Sequence, residues 1–298
     1  MGNAEGDAAQ EVRGNVCGGE VRGGDVRVVL ADMDDTFLAS DKGIPPENLQ
    51  ALDLLAERGI PFVPCTGRPF LALPQEVLAH PATRYAVAIN GTSVYAMPSR
   101  QLVLDRSVGT ARARAIYGRV RDLPATYDIY ADGRIYCTRQ SWELLGSLDI
   151  DPVQRDFMQG IRTPMDLPVE QILDAVGPVG RVGMYWRPGD EATAEAARAA
   201  ALEDPTLRVT TSLPFGMEVL DVRVSKGTAL VWLCEHLGIP QEASMAFGDS
   251  MNDLEMIQAA GVGVAMANGE PAVRQAADLV APTNDEAGFF AVVRRLLA

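Results

Sequence analysis

Short, continuously apolar runs alternate along the chain with longer stretches whose apolar residues recur at helical spacing. The first run is "VRVVLA", residues 26 to 31, with five apolar residues in six. A strand covered on both faces of a parallel sheet has that character. "IPPENLQALDLLAERGI" follows. Pro45 and Pro46 suit a helix start, Leu49, Leu52 and Leu55 form one stripe, and Gly59 fits the stop. "PFVPC" predicts a second strand, and "YAVAIN" a third that ends at Asn90-Gly91. The order β-α-β-α-β implies right-handed crossovers and a parallel sheet.

The same rhythm returns at the C-terminal end. "KGTALVWLCEHLGIP" predicts a helix with Leu230, Leu233 and Leu237 on one side and Gly238 at its end. "ASMAF", "VGVAM" and "DLVAP" predict strands, each followed by a helical stretch. The middle differs. "TYDIYADGRIYCT" predicts two aromatic-rich strands around Asp132-Gly133, a hairpin signal. "GRVGMYW", "LRVTT" and "GMEVL" predict further strands, and "DEATAEAARAAALED" an alanine-rich helix. The pattern divides the chain into an α/β core, residues 25 to 96 and 223 to 298, and an inserted α+β module, residues 97 to 222.

Composition narrows the partners. The 298 residues carry a formal net charge of −14. An acidic surface argues against nucleic acid and against an anionic membrane. It leaves room for an anionic substrate where a metal and local Lys or Arg reverse the field. Cys17, Cys65, Cys137 and Cys234 form no CxxC pair, which suits a reduced cytoplasm. No apolar run approaches the ~20 residues of a membrane span. Residues 1 to 24 are polar and glycine-rich, a composition that predicts disorder and no signal peptide.

The first strand delivers Asp32, Asp34 and Asp35 to one point, where like charges repel and desolvation is costly unless compensated. In an open parallel sheet, ligands sit at the carboxyl ends of the strands. Asp32 and Asp34 follow strand one, Thr66 follows strand two, and Asp249 follows "ASMAF". Lys226 opens the helix that precedes that strand. These groups suit a phosphate dianion and a hard cation. Mg²⁺ takes oxygen ligands and few protein carboxylates, which Asp32 and Asp249 supply. Lys226 and the Thr66 hydroxyl suit phosphate oxygens, and Gly67 allows close backbone approach.

"DMDDT", "CTGR", "SKG" and "GDSMND", in that order, resemble the four motifs of the haloacid dehalogenase superfamily of phosphohydrolases. "AINGTSVY", "LDVRVSKGTAL", "FGDSMNDLEMI" and "AGVGVAMANGEPAVRQAADLVAPTNDEAG" resemble its Cof-like branch. The likeness implies a Rossmann-like core under an α+β cap, and a Mg²⁺-dependent phosphatase of sugar phosphates or other small phosphorylated metabolites. It implies that Asp32 attacks phosphorus and that Asp34 serves as acid and then base. It assigns Mg²⁺ to the Asp32 carboxylate, the Asp34 carbonyl and Asp249, with Asp253 orienting metal waters or Lys226. Asn252, Asn90 and Arg68 match positions near the phosphate or the site mouth. Cys65, where a small residue such as Ala is common, and Asp35, where Gly is frequent, depart from the pattern.

Two alternatives stand beside this reading. A phosphomutase would use the same nucleophile, and a regulatory protein would bind a phosphometabolite without turnover. No GxGxxG follows the first strand, which disfavours a dinucleotide enzyme. His80 and His236 have no metal-ligand partner at suitable spacing. Cys65 has no histidine base and reads as packing. Met245, Met251, Met256 and Met266 read as core or near-core, and Tyr127, Tyr130, Tyr136 and Trp142 mainly as filling the insert.

Overall fold

The computed structural model describes residues 26–211 and 213–297. The N-terminal stretch expected to be disordered, and Cys17 within it, lie outside the described residues. The first half of the core runs β1 (Val28–Ala31), α1 (Pro46–Glu57), β2 (Phe62–Pro64), α2 (Gln75–Ala79), β3 (Tyr85–Ala88), β4 (Ser93–Ala96) and β5 (Gln101–Asp105). The middle holds α3 (Thr110–Val120), β6 (Asp128–Ala131), β7 (Arg134–Thr138), α4 (Arg139–Gly146), α5 (Pro152–Gly160), β8 (Arg162–Met165), α6 (Val169–Ala175), β9 (Arg181–Tyr185), α7 (Glu191–Leu202), β10 (Leu207–Thr210) and β11 (Gly216–Asp221). The chain then returns through α8 (Lys226–Leu237), β12 (Ser244–Gly248), α9 (Leu254–Ala259), β13 (Val262–Met266), α10 (Pro271–Ala276), β14 (Leu279–Ala281) and α11 (Gly288–Leu297).

The core sheet has the order β14-β13-β12-β1-β2, and every pair in it is parallel. All four residues of β1 are buried, as a central strand covered on both faces requires. β3 lies parallel beside β2 through bridges at Phe62–Thr83 and Cys65–Val87. It then turns back into an antiparallel meander with β4 and β5. The insert was expected from about residue 97, yet β5 pairs with β4 and so joins the core side. β5 is mostly exposed, and its short apolar run Leu102-Val103-Leu104 was not read as a strand.

The chain of the insert builds a six-stranded sheet, β10-β11-β9-β6-β7-β8. The expected hairpin is present between β6 and β7, with φ of 52° at Asp132 and 72° at Gly133. Both residues tolerate the left-handed region that a tight hairpin needs. The sheet and the helices α3 to α7 enclose a second apolar core built around Ile116, Ile129, Val182 and Val219. Helix α5 buries only Met158.

One aromatic cluster ties the C-terminal helix to the loop after β1. Phe37, Phe62, Phe247 and Phe289 are buried, and their contacting ring pairs have centroids 4.8 to 5.6 Å apart. The loop, strands β2 and β12, and helix α11 are thereby fixed against one another. Met245, Met256 and Met266 are buried as expected, whereas Met251 is exposed on the loop before α9.

Candidate active site

Strands β1, β2 and β12 run parallel, so their carboxyl ends present their loops to the same edge. After β1 the chain makes a five-residue turn in which Phe37 N–H donates to Asp32 O and Leu38 N–H to Met33 O. Asp35 takes φ 59° inside it, a conformation Asp tolerates better than most side chains. The turn sends neighbouring side chains to different partners. Thr36 Oγ1 donates to Asp249 Oδ1 at 2.8 Å, while Asp34 meets Arg68 on the other side.

Lys226 is the first residue of α8, behind a capping box made by Ser225 and Thr228. It is fully buried. Its Nζ donates to Asp32 Oδ1 at 2.6 Å and to Asp253 Oδ1 at 2.6 Å. Asp253 Oδ2 accepts the backbone N–H of Asp249 and of Ser250, each at 3.1 Å. Asp253 therefore holds both the lysine and the loop that carries Asp249. Gly91 makes the approach of α8 possible. Its φ is +98°, and a Cβ there would lie 2.3 Å from the Ser225 carbonyl oxygen.

Arg68 grips Asp34 with a fork, Nε to Oδ2 at 2.7 Å and Nη2 to Oδ1 at 2.6 Å. Lys42 Nζ stands 3.4 Å from Asp34 and 3.1 Å from Asp35. The same Arg68 guanidinium lies over the Phe157 ring of α5, 4.3 Å from its centroid. One arginine thus touches both a core carboxylate and the insert. The Thr66 Oγ1 accepts the Arg68 backbone N–H at 3.1 Å. Asn90, at φ 54°, accepts on Oδ1 from Asn252 Nδ2 at 3.1 Å.

A cavity of about 140 Å³ gathers most of these groups. Asp32, Asp34, Thr66, Gly67, Arg68, Asp249 and Asn252 line it from the core. Asn90 and Lys226 face a smaller neighbouring cavity shared with Asn252, and Asp253 lies buried behind Asp32. From the insert come Tyr130, Phe157, Arg181 and Glu218. Of the aromatic residues considered for the site, only Tyr130 lines the cavity; Tyr127 belongs to the insert's own core.

Burial raises the Asp32 carboxyl well above its ordinary value; the Lys226 charge opposes this, while Asp253, Asp249 and Asp34 add to it. Burial, together with the Asp253 charge, pushes Asp249 up to about 7. Burial also works to raise Asp34, but the Arg68 hydrogen bonds and charge, with Lys42, hold it below the usual carboxylate range. Lys226 is kept charged: burial disfavours its cation, and Asp253 and Asp32 outweigh that. Cys65 is buried and its thiol is pushed up by burial, so it is no nucleophile. His236 stacks on Trp232 and His80 reaches Asp53, both away from the cavity.

One oxygen each of Asp32, Asp249 and Asp253 fall within 4.8 Å of one another. Such a set of hard, crowded oxygens suits a divalent cation, whose charge would offset the repulsion. Asp253 accepts from the Lys226 ammonium and from two backbone N–H groups, whereas Asp249 accepts only from the Thr36 and Ser250 hydroxyls, which can rotate away, so Asp32 and Asp249 are the better donors. Sequence reasoning did not find Lys42, Thr36, Arg181 or Glu218. Glu218 did carry a signal, a lone acid inside the apolar run "GMEVL".

A sequence model of the haloacid dehalogenase-like hydrolases matches residues 29–293. Phosphatase YwpJ of Bacillus subtilis (strain 168) is 27% identical, over 91% of this chain and 100% of its own. HMP-PP phosphatase of Escherichia coli (strain 55989 / EAEC) is 30% identical, over 83% of this chain and 86% of its own. The structure of a haloacid dehalogenase-like hydrolase from B. subtilis superposes with a TM-score of 0.78 at 25% identity, covering 91% of this chain and 100% of that one. Among the described residues no helix is long and apolar enough to cross a membrane. With a matching family model across nearly its whole length and relatives that are phosphatases, the chain belongs to the haloacid dehalogenase-like hydrolases, in their Cof-like branch, and is an enzyme of the phosphatase type.

Proposed function

We propose that this chain is a Mg²⁺-dependent phosphatase of small phosphomonoesters that works through an aspartyl-phosphate on Asp32. The observation that carries the reading is the Lys226 Nζ held at 2.6 Å from Asp32 at the floor of a cavity walled by the insert. A lysine there orients the nucleophile and offers its charge to phosphate oxygens.

Asp32 attacks phosphorus, and the bond from phosphorus to the ester oxygen breaks. Asp34 gives its proton to the departing oxygen. Asp34 then takes a proton from water, which attacks phosphorus and frees the Asp32 carboxylate. Asp34 stands clamped by Arg68, so the first transfer requires that clamp to loosen. The Thr66 hydroxyl, the backbone at Gly67 and Asn252 hold the phosphate. Asn90 positions Asn252, and Asp253 positions Lys226 and the 249–250 backbone. Asp32, the Asp34 carbonyl and Asp249 would hold Mg²⁺, which supplies positive charge against the crowding of phosphate and carboxylates. The core of residues 25 to 96 and 223 to 298 carries these groups, and the insert acts as a cap that excludes water and contacts the leaving group. Relatives named for metabolite phosphates support the substrate class. The buried free thiols of Cys65, Cys137 and Cys234 suit a reduced cytoplasm.

The test is phosphate release from a panel of small phosphomonoesters with Mg²⁺ and with EDTA. Release that EDTA abolishes supports the reading. Release unaffected by EDTA, or isomerised substrate in place of free phosphate, overturns it.

A further inference from the structure

The cavity over Asp32 measures about 140 Å³. Sites that enclose a whole small molecule run to roughly 300–1,000 Å³, so a wall must move before a phosphomonoester enters. The insert as a body is docked. Its sheet runs β10-β11-β9-β6-β7-β8. One linker to the core bonds to the chain entering β9, with Val108 N–H donating to Gly180 O at 3.1 Å, and the other follows β11. To one side of them, Arg208 of β10 pairs with Glu255 of α9. To the other side, Leu71 N–H of the core donates to Gly133 O of the β6–β7 turn at 3.2 Å. A tilt of the whole insert about its linkers breaks one of these contacts. The linkers are bonded as well. The N–H groups of Arg106, Val222, Arg223 and Val224 all have acceptors, and Arg112 Nη2 ties Ser107 O to Asp221.

Helix α5 is held differently. It gives Gln154, Phe157 and Met158 to the cavity wall, yet buries only Met158. Its anchors lie at its C-terminal end. There Gln159 Nε2 donates to Trp142 O at 2.9 Å, Trp142 Nε1 to Gln159 O at 3.2 Å, and Arg162 to Met158 O. Among the described residues, the hydrogen bonds and ion pairs of residues 152 to 156 stay within the helix and its Asp151 cap. Phe157 over Arg68 ties the middle of the helix to the core. Segments with few buried contacts and few outside bonds open first.

We propose that α5 alone is the gate of the site. It swings on its Trp142–Gln159 anchor with residues 149 to 151 as the strap, Phe157 on Arg68 is its latch, and the rest of the insert stays docked. This rests on the phosphatase reading above for what passes the gate, and adds to it the element that moves. A helix of nine residues off its support is not stable alone, so each opening exposes its amides to water.

The test joins hydrogen–deuterium exchange of the whole protein to turnover of p-nitrophenyl phosphate. The amides of Asp156 and Phe157 should exchange about tenfold faster than the bonded amides of Val108 and Val222 in the linkers. Phe157→Ala should speed the α5 amides further, and Arg208→Ala should leave them unchanged. A second arm fixes the insert to the core. A Cβ on Gly133 would lie 3.2 Å from Leu71 Cγ, so Leu71→Cys with Gly133→Cys can be oxidised to a tether. The oxidised protein should keep kcat/KM within about twofold of its own reduced form, with wild type treated alike as the baseline. A greater loss on oxidation, or α5 amides no faster than those of the linkers, overturns the inference. Should the cysteine pair not fold, exchange alone decides. If wild type hydrolyses nothing, the phosphatase reading falls, and exchange still decides whether α5 opens by itself.

Discussion

Lys226 Nζ donates to Asp32 Oδ1 at 2.6 Å across 194 residues of chain, and the same nitrogen holds Asp253. The segments that bracket the insert are joined at this point. Removing the cation leaves two buried carboxylates facing each other. Lys226→Met should therefore lose about 3–5 kcal/mol of stability. Its turnover should fall by about two to three powers of ten. Urea unfolding and steady-state rates read the two effects, and a variant as stable as wild type would mean the pair is not what holds the acids.

The acid cluster also sets a pH dependence. Asp249 titrates at about 7 against an ordinary 3.8, and Asp32 is raised in the same direction. A carboxyl raised on folding binds its proton more tightly in the native state, so its contribution to stability falls as pH rises from 3.8 towards about 7. Mg²⁺ competes with those protons, so its affinity should grow as pH rises through that window. Melts in EDTA and in Mg²⁺ across the window should show the metal-free protein weakening and the Mg²⁺ stabilisation increasing. Asp249→Asn should flatten both trends. A Mg²⁺ effect that grows towards acid would contradict this.

Arg68 holds Asp34 ionised, and the proposed acid must carry a proton. Without the fork, burial would lift the Asp34 carboxyl against Lys42 alone. Arg68→Met should then keep Asp34 protonated to higher pH and move the alkaline limb of kcat/KM up by about one unit. Loss of the contact to Phe157 should cost about tenfold in rate through poorer positioning of the insert. A limb that stays in place would show that Asp34 is not the group titrating there.

Phe289 on α11 packs on Phe37, Phe62 and Phe247. Phe289→Ala should lose about 3–5 kcal/mol, since it opens a cavity among three other rings. Because Phe37 closes the turn that begins at Asp32, activity should fall as well. Chemical denaturation measures the first effect, and a loss below about 1 kcal/mol would mean the cluster collapses around the gap.

The core was legible because its strands are continuous apolar runs and its polar groups fall just past their ends. Asp32, Thr66 and Asp249 lie near one another for that reason, and Lys226 joins them because the capped start of α8 lies beside Gly91. Strand β5 was missed because its apolar run, Leu102-Val103-Leu104, is short and flanked by the polar Gln101 and Asp105. The geometry of the turn at Asp35 has no signature in the sequence, so the division of Thr36 to Asp249 and Asp34 to Arg68 came only from the structure. Met251 shows the limit of residue type: it is apolar but sits on an exposed loop. The insert side of the cavity was hardest to read. Arg181 and Glu218 stand in strands whose every residue is buried, and a charge in such a strand shows only in three dimensions which cavity it faces.

The central claim is a covalent phosphoryl group on Asp32. The direct measurement is a denaturing quench during turnover, followed by peptide mass spectrometry of wild type and Asp32→Asn. The account predicts one phosphoryl group on the peptide that contains Asp32, labile to hydroxylamine and absent in the variant. A phosphoryl group on another residue, or turnover by Asp32→Asn at the wild-type rate, would contradict it.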